Sequence, residues 1–162
     1  MNQAALIRAQ LASVRGELME AVDRLDDSML AWAPGPGMRT IHGQLVEILM
    51  TEVSLQERIS GRERRAVKEI EAPFRAAESV SGLKVLLDEV RQETLRLLEL
   101  REASGMDDVI EVSAGFASWL GLETVIASEL FRHIARHEAY HAGQLVSYLW
   151  ARGDDPYEWP ET

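Results

Sequence analysis

The apolar residues of this chain recur every three or four positions, which is the period of an α-helix with one buried face. Strict alternation of apolar and polar residues, typical of a half-buried strand, is almost absent. In the first such segment the apolar positions are Ile7, Leu11, Val14, Leu18, Val22 and Leu25. A first helix is predicted there, ending before the Ala-Pro-Gly-Pro-Gly sequence at residues 33–37.

Two further helices are predicted from the same spacing and from residues that start and stop helices. Thr40 can cap the second helix, whose apolar stripe continues until Gly61. The third helix opens near Ser79 or Ser81 and ends around Gly105.

The remaining segments contain a fourth helix and two connections. A polar connection with Pro73 joins the second helix to the third. Residues 106–119 fit a short strand or an irregular crossover, and the crossover is preferred because nothing else is predicted to pair with a strand. The fourth helix runs from about Leu122 to Arg152. The pattern predicts an all-α, antiparallel four-helix bundle that forms one domain over residues 1–162.

Composition narrows the possible classes of function. The chain has no cysteine, which excludes disulfides, thiolate metal sites and a cysteine nucleophile. Its formal net charge of -10 disfavours nucleic acid as a partner, because the phosphate backbone repels an acidic surface. The first residues carry scattered charges and no apolar run of the length of a signal peptide or membrane span. We therefore expect a cytoplasmic protein without membrane contact.

The most informative motif is a pair of histidines in the fourth helix. His137 and His141 occupy positions of the apolar stripe where leucine would be expected. A spacing of four residues places both imidazoles on one face, about 6 Å apart, so they can share one metal ion. The alternative is a buried pair held by hydrogen bonds. His133 lies on the same side but about 12 Å along the axis from His141, so it is expected to support a ligand or to have no metal role.

The sequence His-Glu-Ala-Tyr-His also fits the H-E-x-x-H motif of zinc metalloproteases, with Glu138 as general base. A helical bundle disfavours that interpretation, because such proteases need a third ligand and usually a strand that holds the peptide. Only Glu158 or Glu161, in the short tail, could supply an acidic third ligand. Since a helix turns about 100° per residue, Glu138 is expected to point away from the metal, to be mostly solvated and to be no catalytic base.

Two motifs resemble those of the DinB-like (YfiT-like) superfamily. The stretch from His137 to His141 with the following Ala-Gly-Gln is similar to its H-x-x-x-H-x-G-Q signature. The Trp-Ala-Pro at residues 32–34, followed by Thr40 at the start of the second helix, is similar to its W-x-P loop. The resemblance implies a four-helix bundle in which three histidines hold a divalent metal, commonly nickel or zinc. It also implies, for some members, activity that depends on a low-molecular-weight thiol.

The third ligand of the family is expected seven residues after the residue that opens the second helix, which in this chain is Glu47. Glu52, on the apolar stripe, and His42, in the first turn, are the other candidates. His137, His141 and Glu47 are the predicted ligands. Two histidines and one carboxylate suit zinc, non-haem iron or manganese and leave positions open for water or substrate. The alternative is that Glu47 is a surface residue and the metal has been lost.

Two hypotheses of different class follow. The first is a divalent-metal-dependent enzyme, a thiol-dependent transferase or a hydrolase, that acts on a small molecule between helices two and four. A metal (Zn, Ni, Fe or Mn) with an open position lowers the pKa of a bound thiol or water. The second is a bundle that binds metal or a small ligand, or forms homodimers, without catalysis. The expected partners are a small-molecule substrate, such as a low-molecular-weight thiol, and a second copy of the chain.

Overall fold

Helices account for nearly all regular structure in the computed structural model, which describes residues 2–160. The elements are α1 (Gln3–Val22), α2 (Ile41–Ser60), α3 (Val67–Arg75), α4 (Val80–Ser104), α5 (Ala114–Leu120) and α6 (Ala127–Ala151), with single 3₁₀ turns at Asp27–Met29 and Pro156–Glu158. Within residues 2–160 no strand forms beyond an isolated bridge between Val109 and Ile126. None of the described helices is long and apolar enough to cross a membrane. The predicted all-α fold is confirmed.

The four long helices pack into a bundle in which α1 and α2 each lie against both α4 and α6. Asn2 bonds to Glu102 and Lys84 to Asp23, so α1 and α4 run in opposite directions. The helices predicted to face each other at the histidine pair, α2 and α6, do pack together. They are also antiparallel. The long connection through α3 leaves α2 and α4 running in the same direction.

The core consists of two apolar clusters at opposite ends of the bundle. The first contains Leu18, Leu45, Leu49, Leu83, Leu87 and Leu145, and the second contains Leu11, Leu55, Leu98, Leu130, Phe131 and Ile134. Both clusters receive side chains from all four long helices. They correspond to the stripes that the sequence pattern predicts, and they leave a narrow polar zone between them.

That zone is a buried charge layer formed by Arg15, Glu52, Arg91 and Glu138, one residue from each long helix. Arg91 Nε donates to Glu52 Oε1 at 2.8 Å, and Arg91 Nη2 donates to Glu138. Arg15 Nε donates to Glu138 Oε1 at 2.5 Å, and its Nη2 lies 3.3 Å from Glu52 Oε2. Buried charges are tolerated only when they are paired and hydrogen-bonded. Here each carboxylate contacts both guanidinium groups.

The predicted helix starts at α2 and α4 are confirmed. Thr40 Oγ1 accepts a hydrogen bond from the backbone N–H of Gly43 at 3.0 Å, and Ser79 caps α4 in the same way. Gly61 ends α2 with a φ of 69°, a left-handed conformation that glycine adopts without steric cost. The first helix ends at Val22, earlier than the apolar spacing suggests, and Leu25 lies buried in the short connection before the 3₁₀ turn.

The last helix begins at Ala127 and not near Leu122. The preceding segment runs back along the crossover, where the N–H of Ile110 donates to the carbonyl of Val125 at 2.9 Å. The crossover predicted over residues 106–119 therefore does have a pairing partner, and it contains the unpredicted helix α5. The pairing of residues 109–110 with residues 125–126 therefore prevents the helical pattern near Leu122 from forming the first turn of α6.

The connection predicted around Pro73 contains another unpredicted helix, α3. Its buried residues Ile70 and Phe74, spaced one turn apart, are 2% and 6% exposed and pack into the first apolar cluster. Proline inside a helix removes one backbone hydrogen bond. The packing of this apolar pair against the bundle outweighs that loss.

Candidate metal centre

His137 and His141 bring their imidazole rings together on α6. Their Nε2 atoms are 3.2 Å apart. Two nitrogens that each lie about 2.05 Å from one tetrahedral ion stand about 3.3 Å apart, so this spacing fits one shared ion as well as an N–H···N hydrogen bond from His137 to His141. His141 is buried and His137 is half-buried. His137 is therefore the more accessible of the two rings.

A chain of hydrogen bonds determines which nitrogen of His141 is free. Tyr148 Oη donates to the carbonyl oxygen of Arg39 at 3.0 Å, and Gln44 Nε2 donates to Tyr148 Oη at 3.0 Å. Gln44 Oε1 therefore accepts from His141 Nδ1 at 2.5 Å. The proton of neutral His141 lies on Nδ1, and its Nε2 lone pair faces His137. A fixed acceptor behind the ring is the support that metal-binding histidines usually have.

Both imidazoles are neutral in the folded protein. Burial lowers the pKa of His137 to about 3, and the neighbouring His141 and His133 add to this effect. Burial, followed by the positive charge of Arg39, lowers the pKa of His141 to about 4. Metals bind the neutral imidazole, so protons compete only weakly for this pair near neutral pH.

The predicted third ligand, Glu47, is held by an arginine. Arg39 Nη2 lies 3.4 Å from Glu47 Oε2, and the Glu47 side chain is 27% exposed. Arg39 reaches this position over the first turn of α2, where a Cβ on Gly43 would lie only 2.6 Å from Arg39 Cγ. Between residues 2 and 160 no three His, Cys, Asp or Glu side chains are grouped so that they could hold one ion. The ligand role of Glu47 stays a prediction.

The two other candidate ligands serve elsewhere in the fold. Glu52 belongs to the buried charge layer and also accepts a hydrogen bond from Thr94 Oγ1 at 2.6 Å. His42 lines a separate cavity of about 430 Å³ together with Asp27 and Arg75. Neither side chain joins the histidine pair.

Glu138 is not solvated, and that prediction is wrong. Its side chain is 1% exposed, and its Oε1 and Oε2 atoms accept from Arg15 and Arg91. The helix does rotate it away from His137, but that direction leads into the bundle and not into water. That Glu138 takes no part in catalysis stays a prediction.

The two acidic tail residues were the candidates for the third ligand of a protease-like site. Glu158 lies in the 3₁₀ turn beyond α6, and Glu161 lies outside the described residues.

His133 is buried one turn before the pair. Its Nδ1 accepts from Arg136 Nη2 at 2.8 Å, because a guanidinium group can only donate, so the proton of the neutral ring lies on Nε2. Burial lowers the pKa of this ring to about 4. In the part of the chain that the structure describes, Nε2 has no hydrogen-bond partner. The ring lies between Trp119, at 4.8 Å, and His137, at 6.1 Å between centroids.

Gln44, Tyr148 and Arg39 are the site residues that the sequence prediction missed. Gln44 interrupts the apolar positions of α2 between Ile41 and Leu45, and a polar residue there could have identified it as a buried partner. Arg39 precedes the helix, where no periodicity signals its role. The supporting residues thus come from a second helix and its preceding loop.

Acid should destabilise the protein through His133, His137 and His141. Each titrates near pH 6.5 in the unfolded chain but only near pH 3 to 4 in the folded chain. Between these values the unfolded chain binds more protons than the folded chain, so the free energy of unfolding falls as the pH is lowered below 6.5. Above pH 6.5 the histidines are neutral in both states and do not affect it. Each histidine adds at most about 1.4 kcal/mol per pH unit.

Urea denaturation of metal-free protein between pH 7.5 and pH 5 measures this slope. His133→Asn should reduce the slope of the free energy of unfolding against pH by up to the equivalent of one bound proton. The same variant, prepared with metal, should bind as much metal as wild type. An identical slope in wild type and variant would contradict the assignment of a lowered pKa to His133.

The chain was compared with known protein families and proteins. The model of the DinB superfamily matches residues 10–145, which is most of the chain. The matched region extends from α1 into α6 and includes Thr40 and both histidines of the pair. No curated protein matches the chain. Since the match includes α2 and α4 entirely and most of α1 and α6, and agrees with the all-helical bundle, this chain belongs to the DinB superfamily.

Proposed function

We propose that this protein binds one divalent metal ion between His137 and His141 and acts with it on a small molecule in the groove between α2 and α6. The supporting observation is the 3.2 Å approach of the two Nε2 atoms. The hydrogen bond from His141 Nδ1 to Gln44 strengthens the case, because it leaves the facing nitrogen free of a proton. Zinc, nickel, iron and manganese all accept imidazole ligands.

Such an ion would lower the pKa of a bound thiol or water and so supply a nucleophile near neutral pH. The side chains around it would position the reactants. Gln44 and Tyr148 hold the ring of His141, and Arg39 places a positive charge near the pair that attracts an anionic group of the substrate. A thiol-dependent transfer and a hydrolysis both fit this arrangement. A homodimer stays a prediction.

In this proposal Glu47 is the third protein ligand, and Arg39 competes with the metal for its carboxylate. The ion pair between them is long, at 3.4 Å, and both side chains are partly exposed. Exposed ion pairs contribute only about 0–1 kcal/mol, so a metal ion can displace Arg39 at low cost. The released guanidinium would then be available to a substrate.

Metal titration with an added thiol tests the proposed function. Chelator-treated protein should take up one equivalent of Co²⁺ or Ni²⁺, and 2-mercaptoethanol or azide should then change the visible absorption of the bound ion. A bound ion that does not respond to either addition would favour the non-catalytic bundle. Failure to bind any of the four candidate metals at micromolar concentration would refute the proposal.

A further inference from the structure

An apolar cavity of about 140 Å³ lies between α2, α3 and α5. Its walls include Met50, Thr51, Ser54, Val67, Phe116 and Trp119, and none of the lining residues is charged. Val67 and Trp119 leave 59% and 61% of their surface in solvent. A cavity of about 150 Å³ is known to accommodate benzene, so this one has room for a group of about six carbons.

The cavity adjoins the histidine pair through Trp119 and His133. The ring of Trp119 lies 4.8 Å from that of His133, which in turn lies 6.1 Å from that of His137. On the facing helix, Thr51 and Ser54 continue the face of α2 that carries Glu47, at intervals of four and three residues. The cavity and the histidine pair therefore lie along one side of the contact between α2 and α6, joined by the rings of Trp119 and His133, and we call the stretch that connects them the groove.

The two ends differ in charge. The end at the histidine pair carries Arg39, whose positive charge reaches both rings and which makes a long contact of 3.4 Å with Glu47. At the other end none of the lining residues is charged, and the nearest cation is the guanidinium of Arg58, which lies over the outer wall residue Phe116 at 4.2 Å. An occupant that matches both ends has a small apolar group and an acidic group.

A buried donor without a partner lies between these ends. His133 is 7% exposed, and its Nε2–H has no acceptor among residues 2–160. A buried donor left without a partner destabilises the protein, and an acceptor on a ligand would remove that cost. This observation is independent of the cavity, and an acceptor on a molecule bound beside Trp119 would satisfy the donor.

We infer that the groove binds a small amphipathic anion, with an apolar group of about benzene size in the cavity beside Trp119 and its acidic group near His137, His141 and Arg39. This inference rests on the proposed function for the location of the reacting end. An oxygen of the ligand between the two ends accepts the hydrogen bond from His133.

Calorimetric titration with phenylacetate, 3-phenylpropionate and 4-phenylbutyrate, with acetate as reference, tests the inference. At least one phenylalkanoate should bind 10–100-fold more tightly than acetate, since burying a phenyl ring has an effect of that order. The three chain lengths sample the distance between the ends of the groove. Equal affinity for all four anions would overturn the inference.

Two leucine substitutions on α2 supply the matched comparison. Ser54→Leu fills the cavity and should reduce the affinity for the best phenylalkanoate to that for acetate, without changing metal content. Ser60→Leu adds the same side chain to the same helix outside the cavity lining and should leave the preference intact. Unchanged phenylalkanoate affinity in Ser54→Leu protein would contradict the assignment of the apolar group to this cavity.

Failure of the inference differs from failure of the proposed function. If the protein binds metal but shows no preference for the phenyl ring, the metal centre is supported and the anion site is refuted. If the protein binds no metal but binds phenylalkanoates, and both Ser54→Leu and Arg39→Gln abolish that affinity, the anion site is supported and the metal centre is refuted.

Discussion

Replacing Glu138 by alanine should lower the free energy of unfolding by about 3–5 kcal/mol, because the change leaves buried guanidinium charge without its partner. Arg91 is 5% exposed, and its remaining acidic partner would be Glu52, which it shares with Arg15. Removing one member of a buried network is costly because the other charges cannot be solvated. For a chain of this size the loss corresponds to a melting temperature lower by roughly 10 °C.

Urea denaturation of wild type and variant measures this effect. Glu129→Ala is the matched control, since Glu129 lies on the same helix and pairs with Arg132, but both side chains are about one-third exposed. That change should cost less than about 1 kcal/mol. Equal stabilities of the two variants would show that the charge layer is not a stabilising feature.

A second variant, Glu138→Gln, separates the structural role of this residue from a catalytic one. Metal content per folded protein should be unchanged in Glu138→Gln, because the carboxylate bonds to Arg15 and Arg91 and not to the histidine pair. A loss of small-molecule activity of about 10²–10⁴-fold in folded Glu138→Gln protein would show that Glu138 acts as a general base. That result would support the protease-like interpretation.

Removing either histidine of the pair should abolish metal binding under conditions that saturate wild type. His141→Ala leaves one imidazole and a carboxylate that is already paired with Arg39. We expect the affinity for Ni²⁺ or Zn²⁺ to fall by more than about 100-fold. Replacing a residue that only supports a ligand weakens metal binding by about 10–100-fold, and losing the ligand itself should cost more. Competition with a chromogenic chelator measures the constant.

A graded series makes this prediction specific. Gln44→Leu removes the acceptor of His141 Nδ1 and should weaken binding by about 10–100-fold. His42→Ala changes a histidine in a different cavity and should have no effect. Equal losses in all three variants would indicate unfolding, and no loss in His141→Ala would refute the metal centre.

The amino-acid sequence by itself determined the four long helices and the positions of the histidines, but not the short helices α3 and α5. Apolar spacing identified four long helices, and Thr40 and Ser79 marked two of their starts. Local chemistry was sufficient because a helix is stabilised by contacts between near neighbours and by caps at its ends. The placement of His137 and His141 on one face followed from the same period.

Only the tertiary structure decided what these residues contact. Periodicity showed that Glu138 points away from His137, but the packing of α1 and α4 made that direction a buried charge layer. Sequence spacing likewise could not reveal that Gln44 supports His141 from 97 positions away or that Arg39 holds Glu47. The physical reason is that helix period specifies the direction of a side chain relative to its own axis. Its partner depends on how separate helices pack, which is set by contacts summed over the whole bundle.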